Sequence, residues 1–194
     1  ASIDSCITLI TEQGPILFTR WREMLEEFYS TIQLKNLKLY ACPGRDKSKI
    51  VILCGQAGLS GMQCAALLRN HIEIEMAAPG YVTALSGLGE KRENLLALKA
   101  ALEEIDASCS PCRFSVPPWP HEVFHDVSSI QKMPSAGQIS ADYLWAYPPG
   151  IPLLLPGEIL SKEALALIEF YQQYKVPLYC SGGRFNGTIP CSKE

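Results

Sequence analysis

The sequence predicts an α/β (α+β) chain with two units in series, and three observations carry that reading. Apolar residues recur at helical spacing around residues 21–32, 91–105 and 162–174. Short apolar runs bounded by Gly, Pro and Asp, such as KIVILC and YVTALSGL, read as strands between the first two. Residues 107–120, ASCSPCRFSVPPWP, hold four prolines and no period, so they read as a linker.

In the first segment Trp21, Leu25, Phe28 and Ile32 form an apolar stripe with Arg22, Glu23, Glu26 and Glu27 between them. LKLYAC follows, then the turn-rich CPGRDKS, then KIVILC as a buried strand. GQAGLSG turns the chain into a short helix near Ser60–Asn70, with Ser60 as its N-cap. IEIEM alternates strictly, which predicts a strand with Ile72, Ile74 and Met76 on one face and Glu73 and Glu75 on the other. After APG comes the strand YVTALSGL, then a helix from Lys91 to Ile105 with the stripe Leu95, Leu98, Leu102 and Ile105. Beyond the linker lie a short helical stretch, the segment SAGQISADYLWAYPPGIPLLLPGE, an amphipathic helix over Lys162–Tyr174 and a Gly-rich tail.

Composition narrows the function classes. At 194 residues and 47% hydrophobic, the chain has material for one sizeable core or two smaller ones, and it is too apolar for disorder. A net charge of −3, from 17 basic and 20 acidic residues, gives no basic excess for nucleic acid or an anionic membrane. No apolar run reaches the ~18–20 residues of a membrane span. ASIDSCITLITEQGP lacks the basic start and cleavage site of a signal peptide, so the cytoplasm is the expected compartment. The eight cysteines read as free thiols, because only Cys109 and Cys112 are close in sequence and no second ligand pair is clear.

Three motifs carry possible chemistry. His121-Glu122-Val123-Phe124-His125 fits HExxH, whose histidines share a helical face and can hold zinc, which would make a hydrolase. The stretch is short and follows PPWP, and a surface turn with two histidines explains it as well. GQAGLSG evokes a phosphate-binding loop, but its spacing is GxxGxxG and a tight turn accounts for it. AYPPGIPLLLPGE sets prolines at 148, 149, 152 and 156, which forbid helix and withhold four amide donors from any ladder. Such a stiff apolar loop reads as a docking or site-lining segment.

SAGQISADYLWAYPPGIPLLLPGE closely resembles the C-terminal signature of the bacterial ornithine/lysine/arginine decarboxylases. SKIVILCGQAGLSGMQCAALLRNHIEIEMAAPGYVTALSGLG resembles the small subdomain of the same family, and ASIDSC resembles the segment after its cofactor lysine. The resemblance implies the small subdomain of a fold-type I enzyme, followed by the family's C-terminal domain. The implied divisions are 1–35 as the helical tail of a cofactor-binding domain, 36–106 as the α/β small subdomain, 107–120 as linker and 121–194 as the C-terminal domain.

It also implies decarboxylation of arginine, lysine or ornithine with pyridoxal 5'-phosphate, in a dimer or larger oligomer. The family holds its cofactor through a lysine in a Ser-x-His-Lys motif, yet none of the ten lysines here follows a histidine. The expectation is therefore a C-terminal piece that has no catalytic or cofactor-binding residue of its own and needs the missing cofactor-binding domain. A non-catalytic binding or regulatory module of the same fold is the alternative. By resemblance Glu75 meets the distal cation of the substrate, with Glu73 two residues earlier on the same face. The signature loop Tyr147, Pro148, Pro149, Gly150, Pro152, Pro156, Gly157 and Glu158 lines the substrate entrance or braces the small subdomain. Glu158 is alternatively a cap of the helix that begins after Ser161.

Overall fold

A computed structural model describes residues 2–117, 129–132, 134–148 and 150–192. The chain opens with one helix, α1 (Ser2–Thr31), which runs through Pro15. β1 (Lys38–Leu39), β2 (Lys49–Leu53), α2 (Gly61–Leu68), β3 (Met76–Ala78), β4 (Tyr81–Leu85) and α3 (Arg92–Ser108) complete the first unit. Its sheet has the order β1-β2-β4-β3 with every pairing antiparallel. Ile50 and Ile52 of β2 and Val82 and Ala84 of β4 face one core with Leu95, Leu98 and Leu102 of α3 and Met24, Leu25 and Phe28 of α1. The expected stripes of both helices are thus the ones that pack. The part of α1 before Trp21 differs, leaving Ile3, Ile7, Ile16 and Phe18 exposed.

Ser60 caps α2 as expected, in a reciprocal box. Its hydroxyl accepts from the Gln63 N–H while the Gln63 side chain accepts from the Ser60 N–H. The IEIEM strand is a correction, since pairing begins only at Met76 and residues 72–74 lie outside the sheet. The N–H groups of His71 and Ile72 are committed to the Leu68 carbonyl at the end of α2, so the chain cannot yet join β4. The alternation also breaks at this point. Ile72, Ile74 and Ala77 pack against the core, whereas Met76 is registered with Thr83 on the other face of the sheet.

The second unit holds β5 (Ser129–Lys132), β6 (Leu144–Ala146), β7 (Ile151–Leu154), α4 (Lys162–Gln173), β8 (Leu178–Cys180), β9 (Gly183–Arg184) and β10 (Ile189–Ser192). Its larger sheet has the order β7-β6-β8-β9, and β10 pairs with β5. Leu144, Ala146, Leu154, Leu167, Ile168 and Leu178 form its core between sheet and α4. The Gly-rich tail is structured. It forms β8 to β10, and Ile189 and Cys191 are fully buried. Prolines are not wholly excluded from ladders either, because Pro152 sits in β7 opposite Trp145. β7 is the sheet's edge strand, where a missing amide donor costs little.

Of the stretch 107–120, residues 107–108 close α3. Residues 109–117 have no regular structure, yet Phe114 packs between the units. Its ring lies 5.7 Å from that of Phe170 and 5.8 Å from that of Tyr174. On the other side a Cβ at Gly55 or Gly80 would fall 2.4 Å from the ring, so both glycines open the recess it fills. The Cys112 N–H adds a 2.7 Å hydrogen bond to the Gln56 carbonyl.

Candidate functional site

Glu75 stands at the bend just before β3, its N–H donating to the Thr83 carbonyl at 3.0 Å. Its side chain is exposed, as is that of Glu73. Neither carboxylate forms an ion pair among the described residues. Glu73 borders a cleft of about 310 Å³ together with His71, Glu90 and Asn94, over a floor that includes Ile50 and Leu98. The Asn94 amide donates to Glu90 at 2.8 Å across its rim.

Tyr147, Pro148 and Gly150 lie in the turn between β6 and β7, where the Gly150 N–H donates to the Ala146 carbonyl at 2.9 Å. The Tyr147–Pro148 bond is cis, and Pro149 lies outside the described residues. Pro156, Gly157 and Glu158 make the next turn, where Gly157 takes φ 88°. Glu158 is buried, and its Oε2 accepts from the Leu155 N–H at 2.8 Å. Ser161, not Glu158, caps α4, accepting from the Ala164 N–H at 3.0 Å. Glu158 therefore braces its own turn. Glu75 and the signature loop belong to different units.

The carboxylate that organises the first unit escaped the sequence reading. Asp106, at the end of α3, is 3% exposed. It accepts from the N–H groups of Lys35 at 2.8 Å, Asn36 at 2.8 Å and Leu37 at 2.6 Å. Burial pushes its pKa up, but the three donors outweigh burial and hold it below the ordinary carboxylate range. The signal was legible. Asp106 falls four residues after Leu102 on the buried stripe, where an acid needs partners. Asp142 plays a similar part in the second unit, accepting from the N–H groups of Tyr143 and Ser181 and from the Ser181 hydroxyl.

Other candidates resolve simply. HEVFH, residues 121–125, lies outside the described residues, and among the described ones no group of three His, Cys, Asp or Glu is placed to hold a metal. In GQAGLSG, Gly58 takes φ 75°, and a Cβ on Gly61 would lie 2.0 Å from the Ala78 carbonyl oxygen. Turn and packing account for those glycines without a phosphate. Among the described residues no cysteine is disulfide-bonded. Among the described residues no helix is long and apolar enough to cross a membrane.

A pyridoxal phosphate centre needs an enclosed lysine amine, and the lysines whose side chains are described do not offer one. Lys35, Lys38, Lys47, Lys49, Lys91, Lys162 and Lys175 are exposed, and half-buried Lys99 lies 3.7 Å from Glu103. The described residues therefore do not fit the cofactor by themselves.

Residues 120–177 match the sequence profile of the Orn/Lys/Arg decarboxylase C-terminal domain. The chain is 25% identical over 195 residues to an arginine decarboxylase of Bacillus anthracis, an alignment that covers 87% of this chain and 39% of that protein. It is 38% identical over 52 residues to the constitutive lysine decarboxylase of Escherichia coli, covering 27% of this chain and 7% of that one. In structure it is similar to the lysine decarboxylase of Francisella novicida, with TM-score 0.58 and 13% identity over 94% of this chain and 41% of the other. The chain thus spans about two fifths of the Bacillus anthracis relative's length. Residues 120–177 thus resemble the C-terminal domain of Orn/Lys/Arg decarboxylases, and most of the chain is similar to part of an arginine decarboxylase.

Proposed function

We propose that this chain is the C-terminal part of a pyridoxal-phosphate-dependent decarboxylase that converts a basic amino acid into its amine and CO2. The observation that carries the reading is the alignment of 87% of the chain with an arginine decarboxylase. In the whole enzyme the cofactor would supply the electron sink that decarboxylation needs. Its lysine belongs to another part of the enzyme, so the 194-residue chain alone is inactive. This chain contributes pocket walls and an anionic end-stop within a homo-oligomer.

Glu75 is the residue proposed for the end-stop. Arginine, lysine and ornithine all carry a cation far from the α-carbon, and a carboxylate without a cation of its own can accept a charge-assisted hydrogen bond from it. The signature loop keeps its proposed place near the substrate entrance.

CO2 release from labelled arginine, lysine and ornithine tests this. The chain alone should release none, and adding a separately produced cofactor-binding portion should restore release for one of the three. Glu75→Gln in the restored enzyme should raise KM about tenfold or more, with a smaller effect on kcat. Release by the chain alone would sink the proposal. Failure of every pairing would favour a non-catalytic module of the same fold.

A further inference from the structure

The sheet of the second unit places one residue from each of its four strands on a single transverse row. Pro152 of β7 is registered with Trp145 of β6, Trp145 with Tyr179 of β8, and Tyr179 with Arg184 of β9. At the alternate positions Leu144, Ala146, Leu178 and Cys180 are buried in the core against α4, so the row occupies the opposite face. Tyr143 and Tyr147 flank Trp145 at period two and are 50% and 55% exposed. The rings of Trp145, Tyr179 and Tyr147 pair in succession. Trp145 and Tyr179 have centroids 6.4 Å apart with planes at 22°, and Tyr147 meets Tyr179 edge-on at 6.2 Å. Pro152 and Arg184, at the two ends of the row, are exposed.

Single exposed aromatics are ordinary, but a contiguous aromatic face with a guanidinium at its rim has the composition of a binding surface. The edges of this sheet offer poor purchase to an incoming strand. One edge strand holds Pro152, and the other, β9, is two residues long. A partner therefore meets the rings. Nucleic acid is disfavoured, since the row holds one cation on a chain of net charge −3. Flat aromatic rings suit the rigid pyrrolidine ridge of a polyproline-II segment, which loses little entropy on docking. The rim guanidinium suits a carboxylate beside those prolines. We infer that this face docks a proline-rich, acid-flanked segment of a partner protein, with Trp145 and Tyr179 holding the proline rings and Arg184 the carboxylate.

The test titrates the full chain into a fluorescein-labelled peptide of repeated Pro-Pro-Glu. A Gly-Ser-Glu peptide of equal length and charge and an all-proline peptide serve as comparisons. Saturable binding of Pro-Pro-Glu over Gly-Ser-Glu is expected. Trp145→Ala should weaken it about tenfold or more, on the scale of an interface anchor. Arg184→Gln should weaken the acidic peptide several-fold and leave the all-proline peptide unchanged. Tyr143→Ser and Tyr147→Ser, at exposed positions, give a second reading if Trp145→Ala unfolds the sheet, and each should weaken binding. Equal binding of Pro-Pro-Glu and Gly-Ser-Glu, or no saturation, would overturn the inference. So would concentration-dependent dimerisation that Tyr147→Ser abolishes, because a second copy would then cover the face.

Discussion

Replacing Asp106 should unlock the first unit from its loop side. Three backbone N–H groups, of Lys35, Asn36 and Leu37, end on its carboxylate, and the Asn36 side chain donates to the carbonyls of Asp106 and Cys109 at 3.1 Å each. That joins the α1–β1 connection to the end of α3, and the Leu37 side chain beside it is fully buried. Hydrogen bonds to a charged acceptor contribute roughly 1.5–3 kcal/mol each when buried. Only the Leu37 donor is fully buried, so Asp106→Ala should cost about 4 kcal/mol rather than three times the upper figure. Asp106→Asn keeps one oxygen for Asn36 and Leu37 but turns an N–H toward Lys35, and should cost about 2 kcal/mol.

The pH dependence has a definite sign. A carboxyl held below its unfolded pKa stabilises the fold fully above that unfolded value, and the contribution is lost as pH falls through the folded value. Urea unfolding of the wild type should therefore weaken on acidification more steeply than that of Asp106→Asn. An Asp106→Ala loss under about 0.5 kcal/mol, or parallel pH profiles, would refute the reasoning.

How far the fold was legible depended on whether local pattern and tertiary demand agreed. Leu95, Leu98 and Leu102 were readable because a helical stripe and a buried face coincide. Ile72 and Ile74 misled because alternation describes sidedness and not hydrogen bonding. Ile72 and Ile74 do turn to the core, but the Ile72 N–H is spent on the Leu68 carbonyl and Met76 is registered with Thr83 on the other face of the sheet. Phe114 was invisible because what it packs against, Gly55, Gly80, Phe170 and Tyr174, is distant in sequence. At the site, the signature loop was recognisable by its prolines. The row Pro152, Trp145, Tyr179 and Arg184 needed a strand order that no single segment encodes.

Two further predictions follow from packing. Iodoacetamide should modify exposed Cys6, Cys42 and Cys112 in the native chain and spare Cys54, Cys64, Cys180 and Cys191, which are buried. Cys54 is further protected because its hydrogen bond with Cys64 and then burial push its thiol pKa up; rapid native labelling of Cys54, read by peptide mass, would contradict the core as described. The other prediction concerns Phe114. Removing a half-buried ring should cost about 2 kcal/mol and increase proteolysis within residues 107–117, but many contacts would give that result. A Cβ at Gly80 separates the cases, since it would lie 2.4 Å from the Phe114 ring and Gly80 has no positive φ to strain. Gly80→Ala should therefore be costly beside Phe114 and nearly neutral in Phe114→Ala, a coupling of at least about 1 kcal/mol in a double-mutant cycle. The ring alone creates that coupling, so additive losses would mean that Phe114 does not fill the recess between the units.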